Sequence, residues 1–213
     1  MMRLIVMLAL MGAGGWCQST IEAFGLRWSV PVAEDWRVSV MDDVPVLELL
    51  VPRPSLQPRR PTQYALAETP PYEQLTLEME VKKEPRAARN RATSLILVYA
   101  WRDANHFNYA HLSVDEARQQ PVHNGIFHVY GGERVRISSV EGPATLRDES
   151  WHEVKLVYDG RTGRVDVWVN GETSPSMRAV DLSLGAGRFG VGSFFDVGSF
   201  RKVRVSGKGA GNQ

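Results

Sequence analysis

The stretch FNYAH places Phe107, Tyr109 and His111 at alternate positions, and SLILVYAW just upstream repeats that spacing with Tyr99 and Trp101. On a β-strand alternate residues share a face. GIFHVYG continues the theme with His128 and Tyr130. Flat rings stack on the apolar C–H face of a pyranose, and imidazole, amide and phenol groups hydrogen-bond its hydroxyls. A few well-placed polar groups then fix orientation. This is chemistry for holding a sugar rather than for cutting one.

Strand parity turns the pattern into an assignment. With Ile96, Val98, Ala100, Ala110, Leu112, Phe127 and Val129 taken as core, one outer face carries Tyr99, Trp101, Tyr109, His111, His128 and Tyr130. Trp101 and Tyr109 would stack on the ligand, while His111, His128 and Tyr130 would hydrogen-bond it. His123 and Asn124, in the preceding loop, complete the candidate binding set. The competing reading is burial, because Trp and Tyr are highly buried on average.

Catalytic signatures fail on context. GAGRFG (185–190) has dinucleotide-loop spacing but runs into a strand, with no acidic residue at the required distance. Glycoside hydrolysis needs two placed carboxylates. In LEMEVKKE, Glu78 and Glu80 share a face, but Glu84 breaks the spacing of the β-glucanase strand motif, so these read as solvated strand charges. The five histidines fall between 106 and 152 without metal-ligand spacing. No metal or other cofactor is expected; the alternatives left open are calcium held by loop oxygens and zinc held by residues distant in sequence.

The elements that must position these residues are strands almost throughout. DWRVSVM, EQLTLEMEV, WHEVKLVYDG and RVDVWVNG alternate apolar and polar residues, with Asn170-Gly171 and Gly131-Gly132 as hairpin turns. Val165, Val167 and Val169 read as core, which leaves Asp166, Trp168 and Asn170 outward. Val154, Leu156 and Tyr158 read as core together with His152, a structural histidine. PRPSLQPRRP (52–61) is too proline-rich for a central strand and reads as a surface loop with a basic tip. The fold class is all-β, an antiparallel β-sandwich.

Residues 1–19, with Arg3 before the apolar run Leu4–Met11, read as a secretory signal peptide. That run is too short to span a bilayer. Acylation of Cys17 as a lipoprotein is the minor alternative. A single domain would cover 20–207, with a flexible tail over 208–213. The chain carries 25 basic and 24 acidic residues. Losing Arg3 gives 24 minus 24, a neutral domain that is poorly suited to nucleic acid or an anionic membrane through bulk charge.

The order DWRVSV, VPVLEL, YEQLTLEMEV, LVYAWRDANHFNYAHLS, WHEVKLVYDGRTGRVDVWVNGE and GRFGVGSFFDVGSFRKVRVSG resembles bacterial concanavalin A-like jelly-roll domains. Within them it is similar to the laminin-G-like and 3-keto-disaccharide-hydrolase-like group. The likeness spans 36–207, and W-H-x-V…G-x-V-x-V-x-x-N-G is its most telling part. It implies two curved antiparallel sheets and a carbohydrate-facing concave surface. ATSLILVYAW stands where the hydrolase-like members carry Asn-Ser-Gly-Ile and then Glu-x-Gln. The expectation is therefore a secreted (periplasmic or extracellular), non-catalytic carbohydrate-binding domain. The alternatives are a keto-glycoside hydrolase and a protein-interaction module with a protein partner.

Overall fold

The structure is a computed structural model that describes residues 19–54, 56–84, 93–139 and 142–210. The signal-peptide reading and Cys17 lie, Ser19 apart, outside the described residues. Strands β1 (Ser19–Ala23), β2 (Leu26–Val30), β3 (Trp36–Met41), β4 (Val44–Leu49) and β5 (Gln63–Ala67) open the fold. They are followed by β6 (Tyr72–Lys83), β7 (Ser94–Asp103), β8 (His106–Ser113), β9 (Gly125–Tyr130) and β10 (Val135–Arg136). The last five are β11 (His152–Asp159), β12 (Arg164–Val169), β13 (Met177–Val180), β14 (Arg188–Ser193) and β15 (Gly198–Gly209).

They form two antiparallel sheets. An eight-stranded sheet runs β1-β2-β5-β14-β7-β8-β9-β10, and a seven-stranded sheet runs β13-β12-β11-β6-β15-β4-β3. The all-β sandwich expected from alternation is the observed architecture. Among the described residues no helix is long and apolar enough to cross a membrane.

Between the sheets lies one apolar core. The seven-stranded sheet contributes Leu75, Leu77, Val154, Leu156, Val165 and Val167, and the eight-stranded sheet contributes Trp28, Leu95, Leu97, Tyr99, Ala110 and Leu112. The parity read for β11 and β12 holds, and His152 is buried beside this core with its Nδ1 bonded to the Asn170 side chain at 3.0 Å. Asn170 (φ 52°) and Gly171 (φ 67°) both take the left-handed region that a tight hairpin turn requires.

The eight-stranded sheet differs from the expectation. Its outer face is a second core of Tyr64, Leu66, Ile96, Val98, Phe107, Tyr109, Phe127 and Val129, with Trp101 packed against it. Ile96 and Val98 therefore belong to the outer layer, and Tyr99 to the inner one. Phe127 and Val129 likewise face out, while Ile126 faces in. Strands that are apolar on both faces give alternation no sign to read. At Ala100 (φ 49°) the β7–β8 register shifts, so Tyr99 and Ala100 both enter the inner core and Trp101 emerges on the outer face. Gly192 must lack a side chain, because a Cβ there would meet the Gln63 carbonyl oxygen at 2.3 Å and the Tyr64 Cβ at 2.8 Å. That close approach seats the Tyr64 ring 5.6 Å from Phe107.

If this outer layer is a true core, Phe107→Ala removes a fully buried ring and costs about 3–5 kcal/mol of unfolding free energy, on the scale of core truncations. Urea denaturation measures it. A loss under about 0.5 kcal/mol, the size of a surface change, would mean that the face is solvated.

Candidate functional site

The expected binding set does not assemble on one face. Tyr99 is fully buried between the sheets, where its ring lies 4.9 Å from Tyr158. Tyr109 and His111 do share the outer face with Trp101, but both are buried. His111 Nδ1–H donates to the Val122 carbonyl oxygen at 2.8 Å. Burial, reinforced by Arg134 and His123, drives its pKa well below the ordinary 6.5, so it is neutral. Trp101 donates its indole N–H to Tyr64 Oη at 3.0 Å, and the Arg188 guanidinium covers its ring at 4.3 Å. The cleft beside Trp101 is only about 70 Å3, well below the few hundred Å3 of a ligand pocket.

His128 and Tyr130 sit on the other side of this sheet, at its edge. The two rings stack 5.4 Å apart, and His128 Nδ1 meets Asp181 Oδ2 at 2.8 Å. His123 pairs with Asp115 at 2.6 Å. Asn124 is a clamp: its amide oxygen accepts from Ser113 N and Thr145 Oγ1, and its nitrogen donates to the Ser113 and Asp115 carbonyls. Its hydrogen-bonding capacity is used within the fold.

A groove of about 650 Å3 lies instead on the outer face of the seven-stranded sheet, lined by Glu78, Glu80, Glu153, Lys155, Trp168 and Arg204 among others. Strand register explains how it is built. Lys155 pairs with Trp168 on one side and with Glu78 on the other, and Glu78 pairs with Arg204. Trp168, Lys155, Glu78 and Arg204 thus form one row across β12, β11, β6 and β15. Three inter-strand steps make it about 14 Å long. The valines of β12 turn inward, so Trp168 turns outward and stays partly exposed.

Glu80, in the next row, is the fixed point of the floor. It accepts from Arg201 Nε at 2.6 Å and Lys202 Nζ at 2.5 Å. Lys202 holds a left-handed φ of 53°, and the β15–β6 register slips there, so Arg201 and Lys202 both reach one carboxylate. Such a strained backbone in a non-glycine residue marks sites where the surrounding structure dictates the conformation. Arg201 also stacks 4.1 Å above Trp151. Burial pushes the Glu80 pKa up, but the hydrogen bonds from Lys202 and Arg201 outweigh it and hold the carboxyl below the ordinary 4.5.

The rest of the row is looser. Lys155 reaches Glu78 at 3.3 Å with both side chains about half-exposed. Exposed pairs of this kind are worth little and are easily rearranged. The groove therefore offers one ring and loosely paired donors and acceptors over a rigid floor. Among the described residues, no group of three or more His, Cys, Asp or Glu side chains is placed to hold a metal ion. The parity of β6 and β12 already turned Glu78, Glu80 and Trp168 outward. The missing step was to set them in one row, which needs the strand order.

Among solved structures, the carbohydrate binding module CBM66 from Bacillus subtilis superposes with a TM-score of 0.58 at 13% identity, covering 81% of this chain and 95% of that one. The fold is an antiparallel jelly-roll β-sandwich. A Bacillus subtilis protein of unknown function with a galectin-like fold gives a TM-score of 0.47 at 15% identity, over 81% of this chain and 89% of its own. A Parabacteroides distasonis protein provisionally called a glycosyl hydrolase gives 0.46 at 11% identity, over 81% and 82%. No family profile matches the chain, and no curated protein matches it in sequence.

The Glu80 pair sets an acid limit. Its folded pKa lies below its unfolded one, so its contribution is complete above the ordinary value of 4.5 and is lost as pH falls through the depressed value. The urea midpoint of the wild type should fall on acidification below pH 4.5, and Glu80→Gln should show a smaller fall and a lower midpoint at pH 7. Equal acid dependence in the two proteins would remove Glu80 from this role.

Proposed function

We propose that the protein is a secreted, non-catalytic carbohydrate-binding domain whose ligand lies in the groove of the seven-stranded sheet. The observation that carries the proposal is the row Trp168, Lys155, Glu78 and Arg204, open to solvent along one wide groove. A pyranose presents an apolar face and a rim of hydroxyls. Trp168 receives the first, while the ammonium, carboxylate and guanidinium groups donate to and accept from the second. The row is long enough for a short oligosaccharide lying across the strands. The charges alternate in sign, which suits a polyhydroxylated ligand better than a polyanion.

The CBM66 neighbour, a carbohydrate binding module by name, supports this reading at the level of fold. Within concanavalin A-like sandwiches we place the chain nearest the laminin-G-like group, and secretion follows from the signal-peptide reading of residues 1–19. Binding is favoured over hydrolysis because Glu80 is tied to two cations and kept ionised. A general acid must instead hold its proton near working pH.

A glycan-array screen with and without a chelator tests the proposal, followed by titration of the best oligosaccharide. Trp168→Ala should weaken binding at least tenfold, about 1.4 kcal/mol, while Trp101→Ala on the opposite sheet should leave it within twofold. The reverse pattern would move the site to the eight-stranded sheet. Loss of binding in the chelator would bring the calcium alternative forward, and no binding to any glycan would overturn the proposal.

A further inference from the structure

The outer face of the eight-stranded sheet carries a feature that the groove does not use. The basic loop after β4 and the turn between β9 and β10 are joined there by Arg134 N–H donating to the Arg59 carbonyl oxygen at 3.0 Å. Both guanidinium groups lie over one buried ring, Phe194, with Arg134 at 4.5 Å and Arg59 at 5.8 Å from its centroid. Arg136 stands next to them, 5.5 Å from Phe127. Its N–H groups are taken by the backbone carbonyls of Pro121, His123, Asn124, Ser138 and Ser139, so it adds charge but no free donor.

Among the described residues, no carboxylate lies within ion-pairing distance of Arg59, Arg134 or Arg136. Three like charges gathered without a counter-ion repel one another. A second observation points to what is missing. Arg134 Nη1 donates to Tyr109 Oη at 3.1 Å, so that oxygen is an acceptor, and its own O–H proton finds no acceptor among the described residues. Tyr109 is fully buried. Burial, only partly opposed by Arg134, holds its pKa well above 10, so the proton is present at any physiological pH. A buried hydroxyl donor beside two guanidinium groups, with nothing accepting from it, is a polar set short of one anion.

We propose that Tyr109, Arg134 and Arg59 form a binding site for a tetrahedral oxyanion, a phosphate or sulfate group, either free or carried as an ester on a polymer. Planar guanidinium forks match such oxygens and bind them through charge-assisted hydrogen bonds. Tyr109, fully buried under Arg134, supplies the third donor from below once the Arg134 head shifts off its oxygen. The aromatic floor keeps water off the underside of the two cations. This site stands apart from the proposed sugar groove, on the opposite sheet, and does not rest on it.

Calorimetric titration of the protein at low ionic strength with inorganic phosphate, inorganic sulfate, dextran sulfate and plain dextran tests the site. Saturable binding of phosphate or sulfate is expected, with none to plain dextran. Arg59→Gln, Arg134→Gln and Tyr109→Phe should each weaken it at least tenfold. Tyr109→Phe keeps the ring, and Arg59 is exposed, so both variants should fold; melting curves verify this. Tighter binding of dextran sulfate per site than of inorganic sulfate identifies an ester-bearing polymer as the ligand, and weaker binding identifies the free ion. Absence of saturable binding, or equal binding by wild type and all three variants, overturns the site. Loss of anion binding in Trp168→Ala would put the anion in the groove and overturn it as well.

Discussion

Strands β7 and β8 carry apolar side chains on both faces, so the eight-stranded sheet has to be covered twice. The seven-stranded sheet covers Leu95, Leu97, Ala110 and Leu112 on one side. Among the described residues no third sheet covers Ile96, Val98, Phe107 and Tyr109 on the other. They are sealed by their own rings and by Arg59, Arg134 and Arg136 from connecting segments, whose cationic heads lie against Phe127 and Phe194. Arginine suits this use because its planar group stacks on a ring while its edge still meets water. The roof cannot open for a stacked sugar without exposing that second core. The face of the opposite sheet is under no such demand, since the outward residues of β6, β11 and β12 are polar, charged or amphipathic apart from Val157.

The groove then owes its shape to how unequally its charges are tied down. Glu80 and Arg201 are largely buried, with 11% and 13% of their side-chain surface exposed, and their bond is short. Removing one partner would strand the other in a poorly solvated place, which makes such a pair rigid whatever its net contribution. Lys155 and Glu78 sit nearly half-exposed one row away and exchange water freely. A floor that cannot move beneath polar groups that can is a workable arrangement for hydroxyls. Positions are set by the strands, and donors still adjust to the ligand.

The fold was legible because the period-2 pattern is unambiguous wherever one face is wet. β11 and β12 read correctly, residue by residue, as did the Asn170-Gly171 turn, whose positive φ only a few residue types accept. The candidate face was not legible for three physical reasons. Leu95–Ala100 is a continuous apolar run, and such a run signals burial on both sides rather than either parity. The slip at Ala100 breaks alternation between Tyr99 and Trp101, and no glycine within β7 marks it. Asn124 and His123 look like free polar groups in sequence, yet they close the loop on Ser113 and Asp115. The signal for the groove was present as outward-facing Trp168 and the Glu78/Glu80 pair. What was missing was adjacency, because β6, the β11–β12 hairpin and β15 lie far apart in the chain.

Tyr109 shows why a residue type alone is a poor guide to its ligand. On a wet sheet its ring would be a platform and its hydroxyl an accessory. Here Phe127 stacks on the ring at 5.4 Å and Phe107 and His111 lie against its edges, so only the oxygen retains unspent capacity. The chemistry left to a side chain is what its neighbours have not already taken. By that measure Trp168 retains a face and Tyr109 retains a proton. The first suits a sugar ring and the second an anion held by the same arginines that seal the core.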